Sequence, residues 1–169
     1  MLLPIIPLSD LVKQEIGSSI NTEAMRIPLW IKIFPHLSLN IVCLIIWGLT
    51  YPGWNYFIKI VLQADQTDLV QNLIEHLVPF YTFFTFVPIL EGVFYGLGKT
   101  NLLALKSLIG NCIIGTLFTL FNLGILFQNN VFSIATIFGI GLISGFILTC
   151  LLFTFILRTY SNLASKVIT

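Results

Sequence analysis

The sequence predicts an all-α, polytopic membrane helix bundle with four transmembrane helices, and three observations carry that expectation. Four apolar stretches, Pro28–Tyr51, Leu77–Gly98, Leu102–Phe127 and Val131–Leu157, each reach the roughly 20 helical residues needed to cross a hydrocarbon core of ~30 Å. Of the fifteen formal charges only three fall inside these stretches, Lys32 and Lys106 near stretch ends and Glu91 within one. A soluble helix of such length would carry a polar face. The composition agrees: 57% hydrophobic, 9% charged and a mean hydropathy of +0.98, where a soluble domain holds roughly 25% charged residues.

The 169 residues therefore form a single membrane domain. Residues 1–27 are a lead-in, spans follow at about 28–51, 77–98, 102–127 and 131–157, and 158–169 is a tail. The apolar start, Met1–Leu8, lacks the basic segment and small-residue cleavage site of a signal peptide. It is too short to cross a bilayer and reads as the tail of a helix that begins earlier. A net charge of +1 without a Lys/Arg cluster excludes a nucleic-acid partner. Cys43, Cys112 and Cys150 lie singly in apolar stretches and read as small apolar fillers.

Orientation follows from the basic residues. With four spans, Lys13, Arg26, Lys32, Lys99, Lys106, Arg158 and Lys166 share one side, and only Lys59 lies on the other. That bias puts both termini in the cytoplasm of a plasma or inner membrane. The outer loop Tyr51–His76 opens on Tyr51-Pro52-Gly53-Trp54, where Pro and Gly end the first span and the aromatics suit the interface. Phe57–Leu62 reads as a short segment lying on that interface.

Each span shows a distinct surface. Span one carries His36 and Asn40 one turn apart, too few ligands for a metal site. Span two is crowded with aromatics and holds Pro79 and Pro88; Pro88 predicts a weakened or kinked helix around Phe84. One of its faces reads Tyr81, Phe84, Pro88, Glu91, Tyr95. Glu91 lies about 10 Å inside the helix end, and its Cβ leans away from the near water. An intramembrane carboxylate is either a functional group or a neutral acid bonded to a carbonyl or to Tyr95. Span three repeats Ser107, Asn111, Gly115, Thr119 and Asn122 on one face, and span four repeats Gly141, Gly145 and Thr149. These are close-packing faces, or Asn111 and Asn122 line a polar cavity. No Ser-His-Asp set, phosphate loop or paired carboxylates occur, so no enzyme activity and no cofactor are expected.

Four segments in order resemble multidrug and toxic compound extrusion (MATE) transporters. Val12-Lys13-Gln14-Glu15-Ile16-Gly17 with Asn21 and Ala24-Met25-Arg26 resembles their V-G-Q-x-x-G-x-x-N-x-x-x-A stretch. Gln63–Val70 resembles the F-T-x-D-x-x-V loop, and Leu90–Lys99 the G-V-L-R-G-x-G helix ending. Gly139–Gly145 followed by Leu157-Arg158-Thr159-Tyr160 resembles the last helix and its R-T-D-W exit. The likeness runs from about residue 11 to residue 166. It implies helices nine to twelve of the C-terminal lobe, without the first lobe and most of helices seven and eight. It also implies antiport of drugs or other organic cations against Na⁺ or H⁺ by rocking of two lobes. Tyr95 stands where the family usually has Arg, Lys13 where Gly is common, and Phe84 where some eukaryotic members have a glutamate.

The candidate residues of a substrate or ion pathway are Glu91, Tyr81, Phe84 and Tyr95 on one face of span two, and Asn111 and Asn122 of span three. Ser107, Gly115, Thr119, Gly141, Gly145 and Thr149 are the expected helix-packing residues. The expected partners are the lipid bilayer, a missing transporter half or a second copy, and a small organic cation. Such a partial transporter is inactive alone. Two other readings stand beside it: a non-transporting membrane scaffold, and a piece of a related flippase for lipid-linked sugars, whose cavity would need several basic residues.

Overall fold

A computed structural model describes residues 5–19, 28–61, 66–125 and 130–167, and no strand occurs among them. The helices are α1 (Ile5–Ser19), α2 (Leu29–Leu49), the single turn α3 (Trp54–Tyr56), α4 (Thr67–Phe84), α5 (Phe86–Gly96), α6 (Thr100–Asn122) and α7 (Val131–Val167). Four candidate membrane spans result: Leu29–Leu49, Thr67–Gly96 built from α4 and α5, Thr100–Asn122, and Val131–Thr159. Their length and apolar composition are those of a membrane protein. Asn21, Ala24–Arg26, Gln63–Asp65 and the Phe127 end of the third expected span lie outside the described residues.

Helix boundaries differ from the apolar stretches where local chemistry starts or stops a helix. The second span begins at Thr67 rather than Leu77 because Asp68 sits in the first turn, where a carboxylate suits the helix dipole. The polar Gln71, Asn72, Glu75 and His76 are helical without being apolar. Helix α6 stops at Asn122 because Gly124 adopts φ +69°. That turn lets the amides of Gly124 and Ile125 reach the carbonyls of Phe121 and Leu120, at 2.9 and 3.1 Å. Gly98, at φ +67°, makes the same kind of turn between α5 and α6, with the Lys99 amide 2.8 Å from the Phe94 carbonyl.

The expected interfacial segment after α2 is helical. A 3₁₀ turn (Tyr51–Gly53), α3 and a π-helical turn (Phe57–Val61) follow one another, and Ile58 is buried. Trp54 stacks on Trp47 at 4.5 Å and donates its indole N–H to Thr50 Oγ1 at 3.0 Å. The Tyr51 hydroxyl donates to Glu75 Oε1 at 2.7 Å, tying this connection to α4. The Glu75 carboxylate raises the Tyr51 phenol above its ordinary range.

Helix α5 is the hub and touches α1, α2, α4, α6 and α7. Its densest contact is with α1, so Ile5–Ser19 is a packed helix and not a loose lead-in to the spans. Leu8, Val12 and Ile16 of α1 meet Ile89, Val93 and Phe94 of α5 in the buried core. Gly92 and Gly96, one turn apart, permit that approach. A Cβ at Gly92 would lie 2.6 Å from the Ser9 carbonyl oxygen, and one at Gly96 would lie 2.7 Å from Ile16 Cβ. Small residues four apart serve this purpose where lipid gives no hydrophobic drive between helices. Along α7, Gly139 receives the Phe80 ring of α4 and Gly141 receives Ile114 of α6. Outward faces stay apolar, with Trp30, Phe34, Ile45, Leu108 and Phe155 all exposed.

Replacing Gly92 with Ala should therefore destabilise the chain by about 2 kcal/mol through overpacking. Gly110→Ala, where nothing lies within 4 Å, should leave stability unchanged or raise it. Thermal unfolding of both variants in detergent, followed by circular dichroism, checks the contrast.

Candidate functional site

The site begins with a break in the second span. Pro88 has no N–H to offer the Phe84 carbonyl, and the helix is interrupted at Thr85. Thr85 is fully buried and donates its hydroxyl to the Thr82 carbonyl at 2.8 Å. From α2, the equally buried Asn40 donates Nδ2 to Thr85 Oγ1 at 3.1 Å, while Asn40 Oδ1 accepts no hydrogen bond from the described residues. Ser9 of α1 donates to the Pro88 carbonyl at 2.7 Å. Polar groups of two neighbouring helices thus converge on the broken turn, as the backbone requires away from water.

One turn beyond Pro88, Glu91 Oε1 accepts a hydrogen bond from Lys106 Nζ of α6 and forms an ion pair with it. Glu91 is three-quarters buried and Lys106 more so, at 25% and 13% side-chain exposure. Lys106 stands about 9 Å along α6 from its start at Thr100. Its stem passes Gly145 of α7, where a Cβ would lie 3.9 Å from Lys106 Cε. Opposite charges at one depth neutralise each other, which offsets much of the cost of holding either in a low-dielectric medium. Lys106 belongs inside a span, not merely near its end. The expected hydrogen bond from Glu91 to a carbonyl or to Tyr95 is replaced by this pair.

The other expected pathway residues do not gather around Glu91. The break at Thr85 splits their common face among different neighbours. Tyr81 meets Phe138 of α7 with ring centroids 6.3 Å apart, and Phe84 edge-on at 6.4 Å. Tyr95 is exposed, with Lys13 Nζ of α1 5.8 Å from its ring centroid. Asn111 and Asn122 are exposed on α6, as are Ser107, Gly115 and Thr119. That stripe does not form the contact between α6 and α7. The adjoining face of α6 forms it instead, through Ile114 against Gly141 and Lys106 beside Gly145. Thr149 is buried and bonds the Gly145 carbonyl at 2.8 Å.

His36 and Asn40 also part company. His36 Nε2 lies 2.9 Å from Glu15 Oε2 of α1, whereas Asn40 reaches Thr85. Lys106, Asn40, Thr85 and Ser9 are the polar groups that sequence reasoning did not connect. A signal for Lys106 existed: it lies eight residues after Gly98 and Glu91 seven before it, so a hairpin folded at Gly98 brings them level.

Compared with known proteins, the chain matches no family model, no curated protein and no solved structure.

The pair sets an expectation for stability. Glu91→Gln or Lys106→Gln alone leaves one charge without its partner and should cost about 3 kcal/mol. The double variant should recover most of that loss. A double-mutant cycle from unfolding in detergent measures the coupling.

Proposed function

We propose that this chain supplies four spans of a MATE-type secondary transporter, a cation-coupled antiporter that exports organic cations in concert with a second helix bundle. The observation that carries the proposal is the Glu91–Lys106 pair, set inside two candidate spans one turn from a broken helix. Intramembrane ionisable residues mark ion and substrate paths, and discontinuous helices supply binding sites in secondary transporters. The ordered sequence likeness supports the same reading.

In this mechanism a coupling proton or Na⁺, or a cationic substrate, competes with Lys106 for the Glu91 carboxylate. Occupation of Glu91 by one cation releases the other, which is the exchange an antiporter needs. Loss of the ion pair loosens α5 from α6, and their movement changes which side of the membrane the site faces. The exposed polar stripe of α6, with Asn111, Thr119 and Asn122, turns toward the second bundle. A non-transporting scaffold is the second reading, favoured by that same stripe, which offers a protein contact without requiring chemistry at Glu91.

The test co-expresses the chain with a candidate first-lobe protein and follows ethidium efflux from cells together with co-purification. The transporter reading expects co-purification and gradient-dependent efflux, lost in Glu91→Gln/Lys106→Gln at unchanged membrane abundance. Reporters fused after Thr169 and near Thr100 should then read cytoplasmic, and one near Gln66 external. Efflux by the chain alone would contradict the need for a second bundle. Co-purification without efflux would favour the scaffold.

A further inference from the structure

A cavity of about 370 Å³ opens between the Gly98–Lys99 turn that joins α5 to α6, the first residues of α6, and the Phe155–Thr159 stretch of α7. The volume lies within the range of small-molecule sites, about 300–1,000 Å³. Its lining is divided by chemistry. Lys99 and Asn101 give an ammonium and an amide, while Leu102, Phe155 and Ile156 give an apolar wall; the Thr159 hydroxyl donates to the Phe155 carbonyl at 2.9 Å. Among the described residues neither Lys99 nor Arg158, the neighbour of Thr159, pairs with a carboxylate. Glu91, the acid of α5, is occupied by Lys106. Among the described residues the cavity therefore carries the positive charge of Lys99 without a carboxylate partner.

We propose that this cavity binds an anionic phospholipid, its phosphate held by Lys99 with Asn101, and the start of an acyl chain laid on Leu102 and Phe155. A zwitterionic lipid meets the same walls but brings a second positive charge to a site that already has one. A free phosphate gains nothing from the apolar wall. Basic pockets between membrane helices select acidic headgroups for these reasons. The site is separate from Glu91 and needs only that the spans lie in a bilayer, so it stands whether or not the chain transports.

The test is native mass spectrometry of the purified full chain released from detergent, with dioleoyl phosphatidylglycerol, dioleoyl phosphatidylcholine or inorganic phosphate added. Phosphatidylglycerol should be retained in preference to phosphatidylcholine, and Lys99→Gln should weaken that retention about fivefold. Phe155→Ser should weaken it as well. Lys13→Gln, which removes an exposed charge stacked on Tyr95 outside the cavity, should leave it unchanged. Equal retention of the two lipids would overturn the proposal, as would equal effects of Lys99→Gln and Lys13→Gln. Displacement of the lipid by inorganic phosphate would also overturn it in favour of a soluble-anion site.

Discussion

Pro88 imposes the constraint on which the other contacts depend. A membrane helix must satisfy its backbone internally; of the two prolines in Thr67–Gly96, Pro79 stays within α4, whereas the helix is interrupted at Thr85, three residues before Pro88. Side chains gather at the break: Thr85 donates to the Thr82 carbonyl, Asn40 donates to Thr85, and Ser9 donates to the Pro88 carbonyl. Those bonds fix α1 and α2 against the same point. Below the break α5 becomes an independent short helix, free to serve as the hub that α4, leaning on α7, could not be.

The hub is tight because two of its residues lack side chains. Gly92 and Gly96 bring the α1 backbone to within contact of α5, and the apolar core of Leu8, Val12, Ile16, Val93 and Phe94 closes around that contact. Glu91 lies on another side of the same helix. Packing toward α1 is through backbone and apolar contacts, whereas the Glu91–Lys106 pair is a polar bond of α5 toward α6.

The spans were legible because hydropathy alone decides them: charge-free runs of this length have few other solutions. Glu91 was legible as the one acid inside them. What periodicity does not say is which neighbour a face meets. Ser107, Gly115 and Thr119 share a face of α6 with a packing pattern, yet Ile114 one position away makes the contact with α7. His36 and Asn40 share a face of α2 but reach different helices. The contribution of α1 was hidden because Leu8, Val12 and Ile16 are ordinary apolar spacing, and Gly92-x-x-x-Gly96 lay within a segment whose interest was its aromatics. The match of Lys106 to Glu91 depends on the fold at Gly98, which helical periodicity within one span does not encode.

The central claim is that Glu91 is paired with Lys106 inside the bundle. Solid-state NMR of the chain in lipid bilayers, with ¹³C-labelled glutamate and ¹⁵N-labelled lysine, measures it most directly. The account predicts a dipolar coupling between the Glu91 side-chain carboxyl carbon and Lys106 Nζ that disappears in Lys106→Gln. No coupling between the two in the unsubstituted chain would contradict it.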